Sequence, residues 1–296
     1  MQKRFSVLAG FVVVVLIWST TPLAVKWSGQ GPGFLFGVTA RMLIGTLLLL
    51  LLVRIRRVTI PFHAAAIRTY LAAGLGIYGA MICVYWGAQF IASGFISVIF
   101  GMTPILTGVF AWFILQERGL SLLRVGGMVI GLFGLLVIFH RSLGLGNAVI
   151  LGMVAVAIGV ILHSISGVMV KRLHGNLPAL SVTTGGLLVA TPLYLVTWLL
   201  VDGHWPQQLP AHALWSIVYL GAVATGIGFS LYFYILKHMP ASQVALLTLL
   251  SPVFALWIGH LFDHEVVSAD VWLGAALVLC GMSIYQWGGL WLQRIR

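Results

Sequence analysis

The sequence predicts an all-α membrane protein with ten transmembrane helices arranged as two inverted five-helix repeats. Hydrophobic residues make up 61% of the 296 residues and charged residues only 7%, which is too little charge for the surface of a soluble domain. The apolar residues form runs of about 20, the length that a helix needs to cross a bilayer. Short motifs of the first half return, in the same order, in the second half.

The apolar runs define ten expected helices. They cover residues 6–27, 33–53, 69–89, 91–115, 121–139, 148–170, 178–201, 213–236, 240–262 and 270–291. The third and fourth runs are continuous and are divided near Gln89. The eighth and ninth are divided at Pro240, because proline is tolerated in the first turn of a helix. The first run lacks a small-residue cleavage site, so we expect it to be retained as a helix.

The basic residues predict the orientation of these helices. With both termini in the cytoplasm, thirteen of the sixteen Lys and Arg residues lie on the cytoplasmic side, Lys26 and Arg141 lie outside, and Arg41 lies within the second helix. Membrane proteins show this bias, and here it requires an even number of helices. The net charge of +11 therefore reflects topology, and we expect no nucleic-acid partner.

The repeat relates residues 1–140 to residues 148–296. The matching positions are Trp18 with His163, Lys26 with Lys171, Thr103-Pro104 with Ser251-Pro252, Glu117 with Glu265, and Gly126 with Gly274. The offset is 145 for the first two pairs and 148 for the others. Because five helices are an odd number, the second unit enters the membrane from the opposite side, and residues 140–147 link the units outside. Inverted repeats of this kind are common in secondary transporters.

Several residues also carry a resemblance to a known family. They are Trp18-Ser19, Lys26, Arg41, Ala241-Ser242, Pro104, Pro252, Glu117, Glu265, Gly126 and Gly274. On these residues the chain resembles the EamA-type transporters of the drug/metabolite transporter superfamily, over essentially its whole length. The resemblance implies ten helices in two inverted units and transport, mostly export, of amino acids, related metabolites or drugs. We therefore expect a multi-pass protein of the bacterial inner membrane.

Some classes of transport are disfavoured by what the sequence lacks. No Asp or Glu lies at mid-membrane depth in any expected helix, whereas carriers of lipophilic cations and proton antiporters usually keep a carboxylate there. Cation–π binding in an aromatic cage stays open. No GxxxxGK[ST] phosphate loop is present, which disfavours ATP-driven transport. Cys83 and Cys280 lie inside apolar runs, and we expect buried free thiols without a metal or cofactor.

Two ionisable residues inside the membrane are the strongest site candidates. Arg41 lies about 12 Å below the outer end of its helix. Its guanidinium either binds a substrate carboxylate or has a structural role, snorkelling outward or capping backbone carbonyls. In the repeat, His163 occupies the position that corresponds to Trp18 of the first unit. A histidine here is a candidate for carrying a coupling proton or for bonding a polar substrate. The alternative is a neutral imidazole bonded to Ser164, Ser166 or a backbone carbonyl.

Aromatic residues complete the expected substrate site. The candidates for substrate binding are Trp18, Arg41, Tyr78, Tyr85, Trp86, His163 and Tyr232. If their rings line a central cavity, they form a partly apolar box with hydroxyl groups, suited to amino-acid-like or aromatic molecules. The alternative is that these rings only pack between helices or anchor the chain at the interface.

Proline and glycine mark expected bends and contacts. Pro104 and Pro252 are expected to bend matching helices, because each frees a backbone carbonyl that the preceding hydroxyl residue can bond. The bends either serve gating or are static. Gly127 and Gly131 form a small face on the fifth helix that favours close helix packing and leaves a homodimer open.

The sequence thus predicts a secondary transporter, an exporter of small metabolites such as amino acids, that works by alternating access between the two units. A passive channel or facilitator is the first alternative. A membrane enzyme acting on a lipid-linked substrate is the second, and it would need the one polar cluster near an interface, which consists of His260, Asp263, His264, Glu265 and Asp270.

Overall fold

A computed structural model describes residues 2–116, 122–142, 146–173, 177–244, 247–265 and 268–295. Within these ranges the regular structure is helical and contains no strand. Seven helical stretches are long and apolar enough to cross a membrane: Val7–Ser28, Phe34–Arg56, Ala64–Gly87, Ser93–Leu115, Asn147–Leu173, Ala179–Val201 and Ala211–His238. Val125–Ile138 and Ala269–Tyr285 are shorter apolar helices. The chain is therefore an all-helical, multi-pass membrane protein, as predicted.

The described helices follow the predicted order. They are α1 (Gln2–Ser28), α2 (Phe34–Arg56), α3 (Ala64–Gly87), α4 (Ser93–Phe100), α5 (Thr103–Leu115), α6 (Leu122–Ser142), α7 (Asn147–Leu173), α8 (Ala179–Val201), α9 (Ala211–Tyr219), a π-helical segment (Leu220–Phe229), α10 (Ser230–His238), α11 (Ala241–Val244), α12 (Leu247–Asp263) and α13 (Ala269–Ile295). The fourth predicted run consists of α4 and α5. The eighth consists of α9, the π-helical segment and α10, and the ninth of α11 and α12.

Pro104 separates α4 from α5. A proline nitrogen has no hydrogen to donate to the carbonyl of Phe100. The hydroxyl of Thr103 donates to that carbonyl instead, at 2.5 Å. The chain passes through a turn at residues 101–102 and a new helix begins at Thr103. Pro252, at the matching position, stays inside the continuous helix α12, so the two prolines have different local effects.

A π-helical segment interrupts the eighth predicted helix and contains Gly221, Gly226 and Gly228. Glycine costs an α-helix about 1 kcal/mol relative to alanine, so the three glycines weaken the α-helical conformation of this stretch. The segment also packs closely on α2, where a side-chain carbon at Gly221 would lie 3.0 Å from the carbonyl oxygen of Arg41. Short π-helical stretches occur often at functional sites.

The helix packing has an internal symmetry that relates the two halves. Helix α1 packs against α9, the π-helical segment and α10, and its repeat counterpart α7 packs against α3. Likewise α1 contacts α12, whereas α7 contacts α4 and α5; α2 contacts the π-helical segment, whereas α8 contacts α3. Two further pairs, α2 with α8 and α6 with α13, map onto themselves when the halves are exchanged, and the pair of α4 with α12 maps onto the pair of α11 with α5.

Two helix ends repeat in detail. Gln116 follows α5 with a left-handed backbone, φ 54°, and His264 follows α12 with φ 52°. These residues are 148 positions apart, the offset found in the sequence. Helices often end with one residue in this conformation, but it is usually glycine. Glu117, the next residue in the first half, lies outside the described residues, as do residues 143–145 of the predicted linker.

Helices α6 and α13 form a closely packed pair. A side-chain carbon at Gly134 would lie 2.6 Å from the carbonyl oxygen of Gly274, and Gly127 faces the backbone of Gly281. Small residues let two helix backbones approach in a membrane, where dispersion drives association. The glycine face predicted on α6 therefore packs within the chain, where α13 covers it.

The two cysteines are free, Cys83 being half-buried and Cys280 exposed. The expectation that both thiols are buried is therefore wrong for Cys280, because this face of α13 points away from the bundle.

Candidate functional site

A cavity of about 70 Å³ lies at the centre of the bundle. Its lining comes from α1, α2, α3, α4, α7, the π-helical segment and α12. The lining residues are Trp18, Thr21, Pro22, Val25, Arg41, Met81, Val84, Ile96, Ser97, Phe100, His163, Phe229 and Ser251. Both halves of the chain contribute, and apart from Arg41, His163 and a few hydroxyls the surface is apolar.

Four aromatic rings gather at one side of this cavity. The ring of His163 lies 5.9 Å from that of Trp18, 5.5 Å from that of Tyr232 and 5.9 Å from that of Phe100, centre to centre. Trp18 and Tyr232 are 5.5 Å apart. A second, smaller space of about 10 Å³, lined partly by Thr103, shares Trp18 and His163 with the central cavity. The structure thus brings together three of the predicted site residues.

His163 uses none of the hydrogen-bond partners that its sequence neighbours offer. Ser166 donates to the carbonyl of Ala72 at 2.9 Å, and the buried hydroxyl of Ser164 has no partner in the described part of the chain. Within that part, no hydrogen bond to the imidazole of His163 is found either. Its ring contacts are aromatic, and its side chain lines the cavity.

Arg41 lines the same cavity and is only 2% exposed. Its Nε donates to the hydroxyl of Thr225 at 2.9 Å, and one terminal nitrogen lies 3.5 Å from the hydroxyl of Tyr85. The described residues place no carboxylate within salt-bridge distance of it. Because a guanidinium has five N–H donors, most of its hydrogen-bonding capacity is unused.

The other predicted aromatic residues lie outside the cavity lining. Tyr85 is buried behind Arg41, where its ring centre lies 5.9 Å from the guanidinium carbon. Tyr78 packs on α8, with its hydroxyl 2.7 Å from that of Thr197. Trp86 stacks edge-on against Phe90 at 4.9 Å. Tyr85 therefore adjoins the site through Arg41, whereas Tyr78 packs between α3 and α8 and Trp86 packs on Phe90 of the turn that follows α3.

Sequence reasoning missed several residues of the site, among them Thr225, Ser97 and Phe100. Thr225 binds Arg41 from the π-helical segment, and Ser97 and Phe100 line the cavity from α4. The glycines around Thr225 were a signal for an irregular helix. Ser97 and Phe100 are seven and four residues before Pro104 and resemble ordinary packing residues in the sequence.

A charged network lies at the end of α1. The Lys26 ammonium contacts Asp263 at 2.6 Å and Glu265 at 2.8 Å, and the Trp27 indole donates to Asp263 at 2.7 Å. Glu265 is only 7% exposed, so its carboxylate is shielded from water. His260 bonds the backbone oxygen of Glu265 at 3.0 Å. Asp263 and Glu265, two members of the polar cluster considered for an enzyme, thus form contacts between the ends of helices.

Asp263 makes this network sensitive to acid. Burial by itself raises the pKa of Asp263, but the hydrogen bonds from Lys26 and Trp27 outweigh it, and the pKa lies below the ordinary value of 3.8. A lowered pKa means a stabilising contribution that is present above about pH 4 and is lost as the pH falls through the lowered pKa. We expect the melting temperature to fall in this acidic range, and to fall less steeply in Asp263→Asn, as measured by intrinsic fluorescence. Equal acid profiles for the two proteins would contradict this assignment.

Comparison with known proteins agrees with the geometry. The model of the EamA-like transporter family matches twice, at residues 5–140 and 150–286. The uncharacterized transporter YoaV of Bacillus subtilis is 29% identical over 93% of this chain and 95% of its own length. A probable amino-acid metabolite efflux pump of Escherichia coli is 25% identical over 69% of this chain and 71% of its own. The Salmonella typhimurium protein with the same description is 25% identical over 74% and 76%.

One solved crystal structure has the same fold. It aligns with a TM-score of 0.71 and 22% identity over 98% of this chain and 99% of its own. The family match covers both halves, and the three relatives described above are named as a transporter or as efflux pumps. The polar cluster at the helix ends is accordingly no catalytic site. The chain belongs to the EamA-like transporter family and is a multi-pass transporter of the bacterial inner membrane.

Proposed function

We propose that this protein exports small carboxylate-bearing metabolites, amino acids and related compounds, by alternating access between two inverted five-helix units. In this proposal residues 1–140 and 148–296 form the units, and both termini lie in the cytoplasm. The central cavity is the substrate site. The observation that carries the proposal is the buried side chain of Arg41, a residue that lines the apolar cavity and has no acidic partner among the described residues.

A buried, unpaired guanidinium is costly in a membrane, since desolvation of the charge is not repaid. Thr225 and Tyr85 are neutral and engage only part of its five donors. A carboxylate neutralises the charge and accepts two parallel hydrogen bonds from the fork of the guanidinium. Arg41 therefore favours an anionic group in the cavity, and it disfavours a substrate whose only charge is positive.

The aromatic rings indicate the rest of the substrate. Trp18, Phe100 and His163 line the apolar cavity, and Tyr232 packs on Trp18 and His163 beside it. This lining suits an apolar or aromatic side chain. An ammonium group can lie over the face of Trp18 by a cation–π interaction, or be bonded by the imidazole of His163. An amphipathic amino acid satisfies both features. The names of the efflux pumps from Escherichia coli and Salmonella typhimurium point the same way.

The size of the cavity supports a cycle of closing and opening. A volume of about 70 Å³ is small beside the roughly 300–1,000 Å³ of ligand pockets, so we expect the helices to move apart when an amino acid binds. The symmetric packing of α1 with α9–α10 and of α7 with α3 supports a rocking motion of matched units. The break before α5, with Pro104 in its first turn, and the proline within α12 give the two matching helices places to bend.

Exchange in proteoliposomes tests the proposal with three matched compounds. Phenylalanine carries a carboxylate and an ammonium, 3-phenylpropionate lacks the ammonium, and phenethylamine lacks the carboxylate. Since Arg41 recognises the carboxylate, we expect internal phenylalanine to exchange for external labelled phenylalanine and 3-phenylpropionate, and not for phenethylamine. Exchange of phenethylamine alone would overturn the proposal. Empty liposomes are the control.

The same vesicles test the role of His163 in proton coupling. If its imidazole carries the coupling proton, a pH gradient drives accumulation of phenylalanine above equilibrium in the parent protein. His163→Gln is then expected to keep exchange and lose accumulation, because glutamine keeps a polar side chain but does not titrate. Unchanged accumulation in this variant would exclude His163 as the proton carrier. A parent protein that exchanges but never accumulates is a passive facilitator.

A further inference from the structure

Three helix ends meet at the same end of the bundle. They are the last turn of α1, which carries Lys26, the first turn of α4, which begins at Ser93, and the end of α12, which is followed by Glu265. Helix α4 is part of the first half and α12 of the second. Each of these three helices also lines the central cavity, so the contact joins helices that form the proposed substrate site.

The carboxylate of Glu265 is the centre of this contact. One oxygen accepts from the backbone N–H of Ser93 at 2.7 Å and from Lys26 at 2.8 Å. The other accepts from the Ser93 hydroxyl at 3.0 Å and from the N–H of Gly94 at 3.3 Å. The N–H groups at a helix start have no partner within the helix, and a carboxylate there is also favoured by the helix dipole. Glu265 thus bonds α1 and α4 at once.

The local backbone is shaped for this reach. The left-handed conformation of His264 reverses the chain after α12, and the N–H of Glu265 donates to the carbonyl of Gly259 at 3.2 Å. Gly259 leaves the space that the carboxylate needs, since a side-chain carbon there would lie 2.9 Å from the Ser93 hydroxyl and even closer to Glu265. Asp263, on the same turn, holds Lys26 from the other side at 2.6 Å.

We propose that Lys26, Asp263 and Glu265 form a charged latch that closes the outer end of the transport path. This inference rests on the proposed orientation and on alternating access. For the cavity to open outward, α1 and α4 must separate from α12, and the latch must break. A partly buried ion pair that loses one partner leaves an uncompensated charge, so removal of either partner shifts the equilibrium toward the open state, in which the remaining charge is hydrated. Lys26 and Glu265 therefore set the fraction of outward-open protein.

Thiol accessibility measures this fraction directly. Ser97→Cys places one nearly isosteric thiol in the cavity, in a protein that also carries Cys83→Ala and Cys280→Ala. A membrane-impermeant methanethiosulfonate reagent is added outside intact cells. We expect labelling to be slow with the latch intact and about tenfold faster with Lys26→Met or Glu265→Gln, as the opening equilibrium shifts by about 1.4 kcal/mol. Asp202→Asn is the matched control, because it removes an acidic side chain that is not part of the latch.

The outcomes separate the latch from the transport proposal. Faster labelling in both latch variants and not in Asp202→Asn supports the latch, whichever compound is transported. Equal rates in all variants, with each protein monodisperse and fully labelled after solubilisation, overturn it. Acceleration seen only in inside-out vesicles also overturns it, because the charged network then closes the cytoplasmic end. Failure of phenylalanine exchange with accelerated labelling would reject the substrate class and leave the latch in place.

Discussion

Replacing Arg41 by methionine is expected to reduce carboxylate exchange about hundredfold. Methionine is long, unbranched and apolar, so it fills the space without a charge. The loss corresponds to about 3 kcal/mol for a desolvated, hydrogen-bonded charge pair. The Michaelis constant for phenylalanine exchange in proteoliposomes measures the loss. Arg41→Lys keeps the charge but not the planar fork, and we expect an intermediate effect.

A structural role for Arg41 makes the opposite prediction for stability. If the guanidinium holds the bundle together through Thr225 and Tyr85, Arg41→Met lowers the melting temperature. If it is an unpaired charge that awaits a ligand, its removal is neutral or stabilising, since the desolvation cost disappears. The parent protein should also be stabilised by phenylalanine, and the variant should not. Normal exchange by Arg41→Met would show that another group binds the substrate.

A leucine at Gly134 is expected to prevent α6 from packing on α13. The first side-chain carbon alone would lie 2.6 Å from the carbonyl oxygen of Gly274 and 2.8 Å from a carbon of Leu277. Backbone atoms cannot move aside, and overpacking of this kind costs about 3 kcal/mol or more. We expect a strong loss of folded, monodisperse protein and a melting temperature lowered by several degrees in detergent.

Gly126→Leu is the matched control on the same helix. A side-chain carbon at Gly126 meets nothing within 4 Å, so the leucine projects into open space. Leucine also favours the helix by about 1 kcal/mol relative to glycine. The two variants differ only in position, and we expect Gly126→Leu to match or exceed the parent melting temperature. Similar losses of melting temperature in both variants would contradict the packing argument, because of these two glycines it is Gly134 that contacts α13.

Much of the fold follows from one-dimensional patterns. Runs of apolar residues predict helices because backbone polar groups in lipid must be satisfied within the segment. The division between α3 and α4, and that between α10 and α11, lie near Gln89 and at Pro240, where the sequence places them. Trp18 and His163, which the repeat relates, lie in ring contact at 5.9 Å.

The contacts of single polar residues did not follow from the sequence. Arg41 and Glu265 are both ionisable residues in or near the membrane. Arg41 has no charged partner among the described residues, whereas Glu265 pairs with Lys26. Sequence position gives depth along a helix but not the rotation of one helix relative to another. Tyr78 and Tyr85 show this limit, because both lie on α3 and only Tyr85 reaches the site.

The sequence by itself therefore determined the class of protein, the family and the order of the helices, which depend on local hydrophobicity and on spacing along the chain. Only the tertiary structure decided that Arg41 lies in the cavity without an acidic partner among the described residues, that His163 packs among rings, and that Glu265 joins three helix ends. These properties depend on which helix faces meet. The contacts between helix faces depend on close packing of side chains from distant parts of the chain. A pattern along the sequence does not show which faces meet.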